Sequence, residues 1–377
     1  MESSAYPMLF SPIKVGTTEV KNRVFMPPVS TNLADHGYVT DDLVDHYRAR
    51  AKGGVGLIIT EVVTVEPTYT YLPGDMCCYD DTFIPGWEKL AAAVHEYGCK
   101  IMPQLFHPAY MAFNIPGTPR LIAPSFVGPS YAREAPRPIT VDEIHELTHQ
   151  FGDAAVRMQK AGVDGVEVHA AHAHGMLGGF LTPLYNKRTD EYGGSFENRV
   201  RYALEVVAAI KEAAPELMVE YKLPVIMENP DGTPRGKGGL QPDEACEFAK
   251  LLEGAGIDMI QVAQANHTGN MGDTIPPMGA MPYNWTLPVA ERVKALVSVR
   301  VATVGRVVSV EAGEKILEDG AADIIAYGRS LMCDPDIALK AATGEPIREC
   351  LNCNKGCVDA IQNRKYISCV LNAENGD

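Results

Sequence analysis

The stretch "TVDEIHELTHQFGDAAVRMQKAGVDGVEVHA", residues 140–170, carries the pattern that decides the fold. It opens on Thr140 with Glu143 in the capping-box position, where each side chain satisfies a backbone N–H at a helix start. An amphipathic run follows and stops at Gly162. Then comes "GVDGVEVHA" (162–170), a near-continuous apolar run of strand length. Runs of that kind suit parallel strands covered on both faces.

Seven more such runs complete the series: "RVFMPPV" (23–29), "VGLIITEVV" (55–63), "KIMPQLF" (100–106), "LMVEYKL" (217–223), "GIDMIQVA" (256–263), "SVRVATVG" (298–305) and "AADIIAYG" (321–328). Helix-like segments with start signals lie between them, among them "TDDLVDHYRARAKGG" from Thr40, "QPDEACEFAKLLEGAG" from Gln241 and "SVEAGEKILEDGA" from Ser309. Eight β-then-α units in series predict a TIM (β/α)8 barrel over residues 1–342. A doubly wound open sheet is the alternative; it usually carries a G-x-G-x-x-G turn after its first strand, and the sequence has none.

Acidic residues outnumber basic ones 48 to 33, giving a net charge of −15, and 46% of residues are hydrophobic. That balance argues against a nucleic-acid surface or a basic membrane-binding face. The start, "MESSAYPMLFSPIKVG", lacks the basic and apolar regions of a secretory signal, and no apolar run reaches membrane-spanning length. A cytoplasmic home is expected, where thiols stay reduced. Of nine cysteines, Cys77, Cys78, Cys99, Cys246 and Cys333 are scattered and read as core residues.

Two regions fall outside the eight units. Residues 107–139, rich in Pro and Gly, form a long insertion of the kind expected to shape an active site at the barrel mouth. The tail, residues 343–377, contains "CLNCNKGCVDAIQNRKYISC" (350–369). Its C-x2-C-x3-C-x11-C pattern comprises Cys350, Cys353, Cys357 and Cys369. Four soft thiolates suit a 4Fe–4S cluster or a structural zinc. Zinc ribbons usually pair two C-x2-C knuckles, so the single knuckle with unequal gaps leans toward the cluster. A tail without metal is the third reading.

The remaining constellation is "EVHAAHAHGMLGGFLTPLYNKRTDEYGGSFENR", residues 167–199. His169 ends the fourth strand and His172 follows three residues later, so both can point into the mouth and donate to one oxygen. The competing readings are a structural pair, or a metal site completed by His174.

Taken with "KNRVFMPPVS" (21–30), "GLIITE" (56–61), "KIMPQLFH" (100–107) and "DIIAYGRSLMCDPD" (323–336), this segment resembles the old yellow enzyme family over residues 8–340. The cysteine tail narrows the resemblance to the iron–sulfur branch of 2,4-dienoyl-CoA reductase, enoate reductase and trimethylamine dehydrogenase. The resemblance implies FMN in the barrel and a 4Fe–4S cluster just after it. It assigns Pro27, Pro28, Val29, Ser30 and Val62 to the flavin ring, Gln104 to its pyrimidine edge, and Lys222 to its N1–C2 carbonyl region. Gly305, Arg306, Gly328 and Arg329 match the phosphate grip, at the place where barrels commonly bind phosphate.

The same resemblance makes His169 and His172 the pair that holds an α,β-unsaturated carbonyl by its oxygen. It makes His267 an assistant to the proton donor. Relatives place a Tyr shortly after the second histidine; here His174 or Gly175 stands there, so His174, Tyr185 or a water is expected to deliver the proton.

The expected activity is reduction of an activated C=C bond of a small-molecule substrate by a hydride from FMN, with electrons arriving through the cluster. Such relatives continue into domains that bind FAD and NAD(P)H, so these cofactors are expected only in a further reductase domain, subunit or carrier. The sequence leaves room for a homo-oligomer. One rival is an oxidative amine dehydrogenase or demethylase, disfavoured because "MPPVS" offers no cysteine to tether the flavin. The other is a non-catalytic electron-transfer subunit, which the paired histidines disfavour.

Overall fold

In the computed structural model, which describes residues 5–112, 117–127, 135–172, 175–265 and 271–374, eight parallel strands close on themselves. They are β1 (Val24–Met26), β2 (Leu57–Thr64), β3 (Lys100–Phe106), β4 (Gly165–His169), β5 (Met218–Val225), β6 (Met259–Gln264), β7 (Arg300–Thr303) and β8 (Ile324–Ala326). Each falls on one of the eight apolar runs, with ends that differ by at most three residues. Closure comes from β1, where Phe25 pairs with Ala326 of β8 on one side and Leu57 of β2 on the other. The fold is a TIM barrel.

A helix follows each of the first seven strands: α1 (Asp41–Lys52), α2 (Ile84–His95), α3 (Val141–Lys160), α4 (Phe196–Ala213), α5 (Pro242–Gly254), α6 (Leu287–Lys294) and α7 (Val310–Glu318). The start signals act locally as expected. Thr140 Oγ1 accepts a hydrogen bond from the Glu143 N–H, and the Glu143 carboxylate accepts one from the Thr140 N–H, completing the box. Thr40 caps α1 through the Leu43 N–H. Two short helices, Arg329–Cys333 and Ile337–Thr343, follow β8.

The period of two along each strand sorts the interior into layers. A hairpin of Ile13–Val15 and Thr18–Val20 closes the bottom, and its Ile13, Val15 and Val20 pack against Phe25, Leu57, Ile59, Met102, Met218 and Met259 inside the barrel. Two residues further along, Met102 gives way to Gln104, Met218 to Glu220 and Met259 to Gln261, all buried. The interior thus turns from apolar to polar as it rises toward the strands' C-terminal ends. Strand β2 breaks the period: its register with β3 shifts between Ile59 and Val62, a bulge that re-aims Val62 at the mouth. Among the described residues no helix is long and apolar enough to cross a membrane.

Candidate active site

A cavity of about 250 Å³ opens at the C-terminal ends of the strands. Pro27, Pro28, Val29, Ser30, Val62, Gln104, Lys222, Gly305, Arg306, Gly328 and Arg329 all line it, together with His169 and His172. These residues come from seven strand ends and meet because parallel closure brings those ends to one rim. His174 and His267 lie outside the described residues.

One end of the cavity is built for an anion. Gly305 has φ +150°, and a Cβ there would fall 2.7 Å from Thr286 Oγ1, so the turn after β7 needs glycine. It delivers Arg306, itself at φ +58°. The Arg306 guanidinium donates to the carbonyl oxygens of Pro277 and Met281, and its buried Nε finds no hydrogen-bond partner among the described residues. Arg329 donates to Pro276 O at 3.0 Å and to Asn354 Oδ1 at 2.7 Å. Neither arginine pairs with a carboxylate among the described residues, so a phosphate would supply the missing counter-charge.

Beneath the mouth lies a buried charged layer. Gln104 Nε2 donates to Glu167, and Lys222 Nζ stands 3.9 Å from the same carboxylate. Glu220 pairs in register with Glu167 across β4 and β5 and accepts from Gln261 Nε2 at 3.0 Å. Two carboxyls thus share one lysine in a place closed to water. Burial raises the pKa of both; Glu220 lies well above the carboxylate range because Glu167 adds to the effect.

The two histidines are chemically unequal. His169 Nδ1 is 3.1 Å from Gln104 Nε2, an amide donor, so Nδ1 accepts and Nε2 carries the proton. His172, held at φ +67°, places Nδ1 2.8 Å from Gln264 O, which only accepts, so its proton sits on Nδ1. Burial, and after it Lys222, pulls the His172 pKa down to about 4, keeping the ring neutral near pH 7. On these contacts the two rings take opposite tautomers, where the sequence suggested two donors; Gln264 makes the difference.

Several lining residues carried no signal in the sequence. Tyr71 reaches the cavity from the loop after β2, Thr274, Ile275 and Pro276 from the loop after β6, and Trp285 from the residues before α6. By contrast, no described residue of the 107–139 insertion lines the cavity. Its described part pairs Ile122–Ala123 with Arg137–Pro138 instead. Tyr185 is also absent from the lining; it is buried against Tyr110, ring centroids 5.3 Å apart.

The tail folds over the same rim. Ile367 N donates to Thr31 O at 3.0 Å, Asn32 Nδ2 to Arg364 O at 3.2 Å, and Asn354 Nδ2 to Ile275 O at 2.7 Å. Cys350, Cys353, Cys357 and Cys369 line a second, smaller cavity, and Cys357 and Arg329 line both cavities. Among the described residues no three His, Cys, Asp or Glu side chains are placed to hold a single metal ion.

The buried acids generate a pH test. In the fold Glu220 favours its proton, whereas in the unfolded chain it ionises near 4.5, so the parent protein loses stability as pH rises above that value. Glu220→Gln has no proton to lose. It is expected to gain on the parent from pH 5 to 8, by up to about 1.4 kcal/mol per pH unit, in urea unfolding. A difference independent of pH contradicts the assignment.

Comparison with known proteins agrees with this geometry. The family model for the NADH:flavin oxidoreductase / NADH oxidase family matches residues 8–347. Bilirubin reductase of Mediterraneibacter gnavus is 45% identical over 377 residues, covering 98% of this chain and 57% of that protein. Cinnamate reductase of Clostridium sporogenes is 34% identical, covering 98% of this chain and 58% of that protein. The chain thus spans a little over half the length of these relatives. A solved 2-naphthoyl-CoA reductase complex superposes with a TM-score of 0.89 at 27% identity, over 98% of this chain and 58% of that one. Morphinone reductase superposes at 0.76 and 27%, over 91% and 92%. A barrel whose rim gathers the expected flavin-lining residues, with a family match across nearly its whole length, is an oxidoreductase of the NADH:flavin oxidoreductase, or old yellow enzyme, family.

Proposed function

We propose that this chain is the catalytic part of an iron–sulfur ene-reductase, reducing an activated C=C bond conjugated to a carbonyl. The observation that carries the reading is the shared rim: His169 and His172, the anion-binding arginines and Cys357 all border one cavity. Bound FMN would supply a hydride to the β-carbon of the substrate. Arg306 and Arg329 hold its phosphate, and the orphaned Arg306 Nε fits that role. Lys222 stabilises negative charge at the ring edge above it. Pro27, Pro28 and Val62 wall the ring.

His169 donates its Nε2–H to the substrate carbonyl. The opposite tautomers of His169 and His172 suit a group with a carbonyl oxygen and an N–H side by side, as in a lactam. Bilirubin carries such edges, and the bilirubin reductase relative favours that class over simple enoates. Tyr71 replaces Tyr185 as the candidate proton source at the α-carbon, because only Tyr71 borders the cavity.

A 4Fe–4S cluster at Cys350, Cys353, Cys357 and Cys369 would relay electrons one at a time. The four thiols share one cavity. The single C-x2-C knuckle with unequal gaps leans toward a cube over a single zinc. A reductase domain, subunit or carrier using FAD and NAD(P)H is the proposed source of electrons, and the greater length of the relatives leaves room for one.

Anaerobic mixing of the reduced holoprotein with bilirubin, cinnamate and simple enones, and of the oxidised holoprotein with histamine, tests the reading. Flavin reoxidation by an unsaturated carbonyl supports it. Reoxidation by none of them favours an electron carrier, and flavin reduction by the amine favours a dehydrogenase. His169→Ala should slow reoxidation by about 10²–10³-fold with little change in flavin affinity; equal loss of both makes the residue structural. Tyr71→Phe should slow the same step by about 10²–10⁴-fold, and an unchanged rate would return the role to His174 or water.

A further inference from the structure

We infer that Glu61, a buried carboxylate on β2, is a positioning residue that latches the tail over the barrel mouth through Thr31 and Asn32. Its consequence for the flavin rests on the reading above; the latch itself does not. Glu61 is fully buried and precedes Val62, which lines the cavity. Both of its oxygens accept from the loop after β1: Thr31 Oγ1 and Thr31 N donate at 2.5 Å each, and Asn32 N at 3.4 Å. A carboxylate taken out of water needs such donors in place of its lost hydration.

The loop held by Glu61 in turn holds two neighbours. Thr31 Oγ1 gives its proton to Glu61 and takes the Leu33 N–H at 3.2 Å, which fixes the turn. Thr31 O then accepts from Ile367 N of the tail at 3.0 Å. Asn32, at φ +60°, donates through Nδ2 to Arg364 O at 3.2 Å. Its Oδ1 accepts from Gly74 N, at 2.9 Å, in the loop after β2. A Cβ at Gly74 would fall 2.5 Å from Asn32 O, so these two loops meet only because residue 74 is glycine.

Each of the three segments carries a wall of the same cavity. Ser30 adjoins Thr31, Tyr71 lies three residues before Gly74, and Val358 and Ile361 lie on the short tail helix Val358–Gln362. The ends of the tail have anchors of their own, Asn354 Nδ2 to Ile275 O at 2.7 Å and Asn372 Nδ2 to Met332 O at 3.1 Å. Between those anchors, Arg364 and Ile367 dock on the loop that Glu61 holds. Residues 362–366 are exposed, so this stretch has little burial to keep it in place. Loss of the Glu61 acceptors therefore frees the middle of the tail and the helix beside it, while the barrel stays folded.

Hydrogen exchange and limited trypsin digestion of the full purified chain test the latch. Glu61→Met removes the acceptors and keeps the side chain's length. It should speed exchange at Ile367 and cleavage after Arg364 and Lys365 by about tenfold or more, with exchange in β3 unchanged. Glu61→Gln keeps one acceptor oxygen and should recover part of the difference. Unchanged tail exchange in Glu61→Met overturns the inference. An equal rise in β3 and the tail also overturns it, by making Glu61 a residue of general stability. Should Glu61→Met fail to fold, Asn32→Asp, which turns the donor to Arg364 O into an acceptor, decides by the same two outcomes. On the flavin reading, Glu61→Met should also release FMN faster, followed by flavin fluorescence. A parent protein that takes up no FMN defeats that reading, and the exchange measurement still decides the latch.

Discussion

Parallel closure of the eight-stranded ladder is the constraint on which everything else rests. Strand β1 contributes only three residues, yet it pairs on both sides and removes the sheet's edges. Once the ring is closed, all the strands' C-terminal ends face one way. Residues as distant in the chain as Pro27 and Arg329 then border the same cavity. The period of two does the rest: it aims methionines at the floor, and glutamates, glutamines and a lysine just beneath the mouth.

That polar layer works against stability. Two buried carboxyls and one lysine lose hydration that their mutual contacts replace only in part, and apolar residues would pack there more favourably. Such an arrangement persists where charge is needed. A cation fixed below the ring position can stabilise an anionic reduced flavin, and Glu167 holds both Lys222 and Gln104 in place. The tail adds a second demand on the same rim. Its positive-φ asparagines, Asn352 and Asn354, adopt a conformation that this residue type tolerates, and Asn354 ties the tail to both Arg329 and Ile275.

The barrel was legible because its strands are near-continuous, mostly apolar runs and its helices announce their starts. The residues expected around a flavin meet at one cavity for a different reason: they sit at strand ends, where motif and geometry coincide. Tyr71, Trp285 and Thr274 were not legible, because they arrive on loops whose path depends on tertiary packing. The described residues of the insertion at 107–139 do not border the cavity that its length suggested it would shape. The inequality of His169 and His172 was invisible too, because it depends on Gln104 and Gln264, which reach them from other strands.

The central claim is that one rim holds a flavin with an iron–sulfur cube beside it. X-ray diffraction from crystals of the anaerobically purified holoprotein, recorded at the iron absorption edge, tests it most directly. The account predicts a strong iron peak enclosed by Cys350, Cys353, Cys357 and Cys369, and planar density between Val62 and Lys222. A zinc peak, or no metal peak, at the cysteines together with a mouth lacking planar density would contradict it.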